Sequence, residues 1–139
     1  MAADTPDIEQ VVNDYVAVWN GDFSKADVIS DSVSHYQPNV PDGGIHGRGA
    51  VEAHIRSFRE AFPDQHQTID DMLATDEVVM TEWTLTGTHE GEYVGIRPTG
   101  REIELEGMGK TRIADGRIED DRLYYDRQAI LEQLGLADG

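Results

Sequence analysis

Apolar residues recur at helical spacing over the first twenty positions, where Ile8, Val11, Val12, Tyr15, Val18 and Trp19 form one stripe ending near Asn20. Thr5-Pro6 supplies a start signal: a capping hydroxyl, then a proline whose missing N–H costs nothing at the first helical position. Gly21-Asp22 breaks the pattern, Phe23–Ile29 predicts a second, short helix, and Ser32–Gln37 predicts a short strand before a loop over Pro38–Gly44. A further helix starts at Gly49, carries Val51, Ile55, Phe58 and Phe62 on one face, and ends at Pro63. From Gln65 onward the period drops to two, the alternation of a strand. Gln67–Thr75, Val78–His89, Arg101–Ile113 and Gly116–Tyr125 are the predicted strands, with turns near Asp76-Glu77 and at Asp115-Gly116 and a glycine- and proline-containing connection over Gly91–Gly100. Asp126 then caps a closing helix that bears Ile130, Leu131 and Leu134 and stops at Gly135. Helices followed by a run of antiparallel strands predict an α+β fold, with the helices packed on one side of a curved sheet. The 139 residues suit one domain, 1–139, with enough chain to bury a core.

Composition narrows the chemistry. The chain has no cysteine, which excludes a disulfide framework, a thiol nucleophile and a thiolate metal site. No apolar run approaches the roughly 20 residues of a membrane helix, and MAADTPDIEQ lacks a basic and apolar leader. A soluble, cytoplasmic protein is the expectation. With 28 acidic against 11 basic residues the formal net charge is −17. Such a field disfavours nucleic acid and anionic membranes as partners. It also makes the compact state self-repulsive unless salt screens it, which predicts a protein of a salt-loving organism.

Most catalytic signatures are absent. There is no phosphate-cradling glycine loop, no G-x-S-x-G elbow and no His-x-x-x-His pair, and the five histidines are scattered singly. Neither a metal site nor a cofactor is expected. His54, beside Ile55 on a predicted helix, reads as surface or satisfied core.

A series of short motifs points further. Phe62-Pro63-Asp64, then Glu82-Trp83-Thr84-Leu85-Thr86-Gly87-Thr88-His89-x-Gly91, then Gly95-Ile96-x-Pro98-Thr99-Gly100, Asp115-Gly116-Arg117-Ile118, Asp126 and Gln133-Leu134-Gly135 follow in order. In this order and spacing the chain resembles the SnoaL-like polyketide cyclase family, which includes ester cyclases, within the NTF2-like superfamily. The resemblance implies a cone-shaped α+β barrel whose strongly curved antiparallel sheet wraps helices around a deep apolar pocket. It implies homodimerisation through the sheet and a small lipophilic ligand. It also implies ring closure by intramolecular aldol condensation without metal or cofactor, a carboxylate abstracting the proton alpha to a carbonyl. Desolvation raises a carboxylate's pKa towards neutrality and makes it a better base for a carbon acid.

The family's last strand commonly reads Gly-Lys-Ile-x-Glu-His-Trp-Asp, the final Asp being the acid/base group. Alignment on Gly116-Arg117-Ile118 places that Asp at Leu123 and the preceding His at Asp121, and a histidine of the strand before it at Gly109. Strand alternation offers a substitute, since Glu119, Asp121, Leu123 and Tyr125 share one face. Asp121 could then be the base and Tyr125 a donor to a carbonyl. The rival phase, Asp120-Arg122-Tyr124, would turn a paired arginine inward, and the bland reading of Asp121 is one solvated acid among 28. Glu82 is a second acid/base candidate if buried, and His35 a third, with Tyr36, near a pocket mouth. Tyr15, Trp19, Phe58, Phe62 and Trp83 are candidate lining residues that could equally be plain core, and His89 could line the pocket or only secure its turn. Two function classes therefore follow: a cofactor-independent cyclase or isomerase on a carbonyl-bearing lipophilic substrate, or a non-catalytic ligand-binding dimer. A buried titratable group in the pocket separates them.

Overall fold

A computed structural model describes residues 7–38 and 43–135. Helix α1, Ile8–Trp19, is capped by Asp7, whose carboxylate accepts from the Glu9 amide at 3.0 Å; the Thr5-Pro6 signal lies outside the described residues. A 3₁₀ segment, Phe23–Val28, begins at Asp22 and leads into β1, Ile29–Tyr36. The two-residue strand β2, Ile45–His46, precedes helix α2, Arg48–Ala61. Strands β3 (His66–Ala74), β4 (Val78–Thr88), β5 (Glu102–Ala114) and β6 (Arg117–Tyr125) follow, and α3, Arg127–Gln133, closes the chain. The β5–β6 hairpin turns on Asp115 and Gly116 at φ 53° and 76°, the pair of left-handed residues that a two-residue hairpin turn demands. Asp126 caps α3 as its position predicts, accepting from the Gln128 amide at 2.9 Å.

The six strands form one curved open sheet in the order β2-β1-β6-β5-β4-β3. Neighbours pair antiparallel except β1 with β6, which run parallel. The expected wholly antiparallel sheet is corrected at this pair. Helix α2 and four strands separate β1 from β6 in the chain, which is the long connection a parallel pair requires. β2 went unpredicted because two residues carry no readable alternation.

Two apolar clusters fill the space between sheet and helices. One gathers Val11, Val12, Tyr15, Val18 and Trp19 of α1 against Ile29 and Val33 of β1, Val51 and Ile55 of α2, and Val79, Ile113 and Ile118 of the sheet. The other packs Phe62, Trp83, Leu85, Tyr93, Ile103 and Leu105 against Ile130 and Leu134 of the closing helix region. At roughly 1.5–3 kcal/mol per fully buried large apolar side chain, these clusters carry the fold. A bulge interrupts the β5–β6 register, in which Arg112 pairs with Asp120 but Ile113 pairs with Ile118. Its effect on side-chain direction governs the site.

Candidate functional site

Across the bulge both Ile118 and Asp121 point inward, three positions apart, a spacing that unbroken alternation forbids. Glu119 is thereby turned out to the Ser30 and Ser32 hydroxyls, which donate to it at 2.8 and 3.0 Å. The expected shared face is corrected at Glu119, while Asp121, Leu123 and Tyr125 keep the inward phase. Asp121 is 1% exposed and is the one carboxylate among the buried polar residues described.

Side chains from three other elements converge on this carboxylate. The Tyr15 hydroxyl of α1 donates to Oδ2 at 2.8 Å, and the Thr111 hydroxyl of β5 donates to Oδ1 at 2.9 Å. His35 of β1 sets Nδ1 3.2 Å from Oδ2, with its side chain fully buried. The parallel pairing fixes that approach, because His35 and Asp121 are register partners across β1 and β6. His35 donates through Nε2 to Oε1 of Gln37 at 2.6 Å, and His54 of α2 reaches the same oxygen through Nε2 at 3.0 Å. Gln37 in turn donates to the Tyr125 hydroxyl at 3.0 Å. A continuous polar chain thus runs from Tyr15 and Thr111 through Asp121, His35 and Gln37 to Tyr125.

Electrostatics follow from burial and the single carboxylate. Burial alone would push the His35 imidazole down, but the Asp121 carboxylate overrides it and the net shift is upward. Burial, reinforced by the Asp121 charge, holds the Tyr15 phenol well above its ordinary value, so it stays a donor. His54 has no carboxylate partner, and burial plus the His35 charge lowers it to about 4. Burial, with the Tyr93 phenol, raises Tyr125.

Two interior voids of about 20 Å³ each flank this chain. Tyr15, Thr111 and Asp121 line one; Gln37, Phe58, Leu105 and Tyr125 line the other; Trp19, Gln67, Trp83 and Leu123 are shared by both. Each is about the size of one water. A ligand must therefore displace side chains to enter, and Leu123, half-buried on the partition, stands between Asp121 and Tyr125. Leu123 and Gly109, the two positions that depart from the family pattern, are register partners on β6 and β5. A Cβ at Gly109 would sit 2.9 Å from Thr81 Oγ1 and 3.4 Å from Leu123 Cδ2. Thr81 is thus the close obstacle to a side chain at 109, while Leu123 across the pair lies at ordinary contact distance.

Several candidates fall elsewhere. Glu82 is exposed on the outer face, because Thr81 and Trp83 take the inward phase of β4. Tyr36 alternates outward from His35, under the Arg122 guanidinium at 4.4 Å. Phe62 is fully buried core, 4.9 Å from Phe58 and 5.4 Å from His89, and lines neither void. His89 accepts at Nδ1 from the Thr99 amide at 3.1 Å, which secures the turn and places it outside the voids. Gln37, His54 and Thr111 were missed. Only Thr111 left a signal, being in phase with Gly109 on the strand.

A curved sheet wrapped over helices, enclosing a pocket with one buried carboxylate, defines an α+β cone of the NTF2-like class. The chain belongs to the SnoaL-like polyketide cyclase family, whose model matches residues 9–134. It is 45% identical over 114 residues to nogalonic acid methyl ester cyclase of Streptomyces nogalater, an alignment covering 76% of this chain and 85% of the relative. It is 30% identical over 92 residues to aklanonic acid methyl ester cyclase DnrD of Streptomyces peucetius, covering 66% of this chain and 63% of the relative. Among solved structures, IdmH of Streptomyces antibioticus, a proposed polyketide cyclase, superposes with a TM-score of 0.80 at 26% identity, covering 93% of this chain and 99% of that one.

Proposed function

We propose that this chain is a cofactor-independent cyclase closing a ring in a lipophilic, carbonyl-bearing polyketide ester, with Asp121 as the acid/base group. One observation carries the reading: among the described residues a single carboxylate is buried, at the wall of the interior void and hydrogen-bonded on both oxygens. Oδ2 faces two partners, Tyr15 and His35, whereas Oδ1 accepts from Thr111 alone and keeps a lone pair. The substrate's α-carbon proton passes to Oδ1, and the C–H electrons delocalise onto the adjacent carbonyl oxygen as an enolate. The enolate carbon then attacks a second carbonyl carbon of the same molecule. A C–C bond forms, the C=O π bond breaks, and the resulting alkoxide takes the proton back from Oδ1. The carboxylate is regenerated and nothing is gained or lost. His35 and Tyr15 hold the carboxylate in place, and the low-dielectric interior strengthens every charge interaction in the sequence.

The similarity to an enzyme of nogalonic acid methyl ester supports that ester as the first substrate to try. Asp121→Asn keeps the shape and removes the base, and we expect ring closure to fall about 10²–10⁴-fold. Turnover of the variant within threefold of wild type would dismiss Asp121 as the base.

The same reading makes the protein a homodimer through the sheet. Leu73, Met80, Met108 and Tyr124 support this, being large apolar side chains exposed on the outer face of four successive strands. Two copies at −17 each repel, so pairing should strengthen as salt rises. Sedimentation velocity from roughly 0.1 M to about 1 M salt, over which the screening length falls about threefold, measures it, and a monomer throughout would remove the dimer. Among the described residues no helix is long and apolar enough to cross a membrane.

A further inference from the structure

Trp83 lines both interior voids, and its indole Nε1 is buried with no hydrogen-bond partner. No protein atom accepts from it, an uncommon condition for a buried N–H in a folded chain. The ring is also held in place. It lies on Gly107, its register partner on β5, so closely that a Cβ there would come within 2.3 Å of Trp83 Cζ2. It also makes a T-shaped contact with the Tyr125 ring, centroids 6.1 Å apart. The side chain is therefore fixed beside the cavity with its donor unspent.

We propose that the Trp83 indole N–H is the hydrogen-bond donor to a carbonyl oxygen of the bound ligand. This rests on the cyclase reading above and deepens it by assigning the oxygen's partner. An indole nitrogen donates only, so it selects an acceptor oxygen and gives a hydrocarbon of the same shape no advantage. When Asp121 removes the α-proton, negative charge grows on a carbonyl oxygen. A donor already aimed at that oxygen strengthens its bond as the charge develops.

A matched pair of probes tests this: 1-tetralone and tetralin, which share one bicyclic frame and differ by the carbonyl oxygen. Binding is measured by titration calorimetry, and the indole N–H resonances of Trp19 and Trp83 are followed by ¹H–¹⁵N NMR. We expect wild type to bind the ketone about tenfold more tightly than the hydrocarbon, the worth of one hydrogen bond. The Trp83 indole proton should move downfield with the ketone only, and Trp83→Phe should bring the two affinities to parity. Equal wild-type affinities, or a ketone preference that survives Trp83→Phe, would overturn the assignment while leaving the pocket intact. Failure of both probes to bind would overturn it together with the lipophilic-pocket reading. Should Trp83→Phe not fold, the wild-type shift decides, with resonances assigned from Trp19→Phe.

Discussion

Asp120 and Asp121 are adjacent in the chain and opposite in circumstance. Asp120 faces outward, its side chain 23% exposed, accepting from Arg122 Nε at 3.0 Å over the Tyr36 ring. Asp121 faces inward, 1% exposed, meeting Tyr15, Thr111 and His35. The outer pair sits in water, where a charge contact is worth little and salt screens it. The inner group sits where each partner matters, because no water replaces one that is lost. In a chain of 28 acidic residues, the count of carboxylates says nothing about chemistry. Strand phase decides, and here a bulge sets the phase.

Removing one partner from the buried group and one from another exposed ion pair gives the largest contrast. His35→Ala leaves a buried carboxylate without its imidazole, and the expected loss in urea unfolding is about 3–5 kcal/mol. Arg48→Ala breaks outer contacts to Asp27 and Asp31, whose side chains are 95% and 81% exposed, and should cost less than about 1 kcal/mol. Comparable losses from the two substitutions would erase the distinction.

The histidines sharpen the comparison through pH, with opposite signs. His54 has its folded pKa lowered to about 4 from 6.5. Between these values the unfolded chain binds a proton that the folded chain refuses, so stability falls as pH drops from 6.5 towards 4. The loss is on the order of 3 kcal/mol, at 1.36 kcal/mol per pKa unit. His54→Gln should flatten that limb when wild type and variant are compared at each pH, and parallel profiles would contradict the burial of a neutral His54. His35 is raised, so its contribution is present below its unfolded pKa and is lost as pH climbs through the folded one.

Much of this was legible in the sequence. Periodicity placed every element of more than two residues to within a few positions, because each buries one face and the pattern records it. The motif order supplied the family. Tyr15, Trp19, Trp83, Leu123 and Tyr125, candidates in the sequence, and Asp121, whose phase the sequence left open, all line the interior voids. The bulge was not legible: nothing in Ile118-Glu119-Asp120 marks an inserted residue, so Glu119 was assigned to the wrong face. Nor was the parallel β1–β6 pairing, since pairing across most of the chain leaves no local trace. That pairing brings His35 to Asp121, and Gln37 then links His35 to His54, a residue read as surface or satisfied core.

Asp121 and His35 meet as one buried pair, the imidazole 3.2 Å from the carboxylate. Titrating the His35 ring nitrogens by ¹⁵N NMR tests it most directly. With the carboxylate beside it, His35 should titrate above 6.5 in wild type and fall below that value in Asp121→Asn, where burial acts without the carboxylate. A wild-type His35 titrating at or below 6.5, or unmoved by Asp121→Asn, would contradict it.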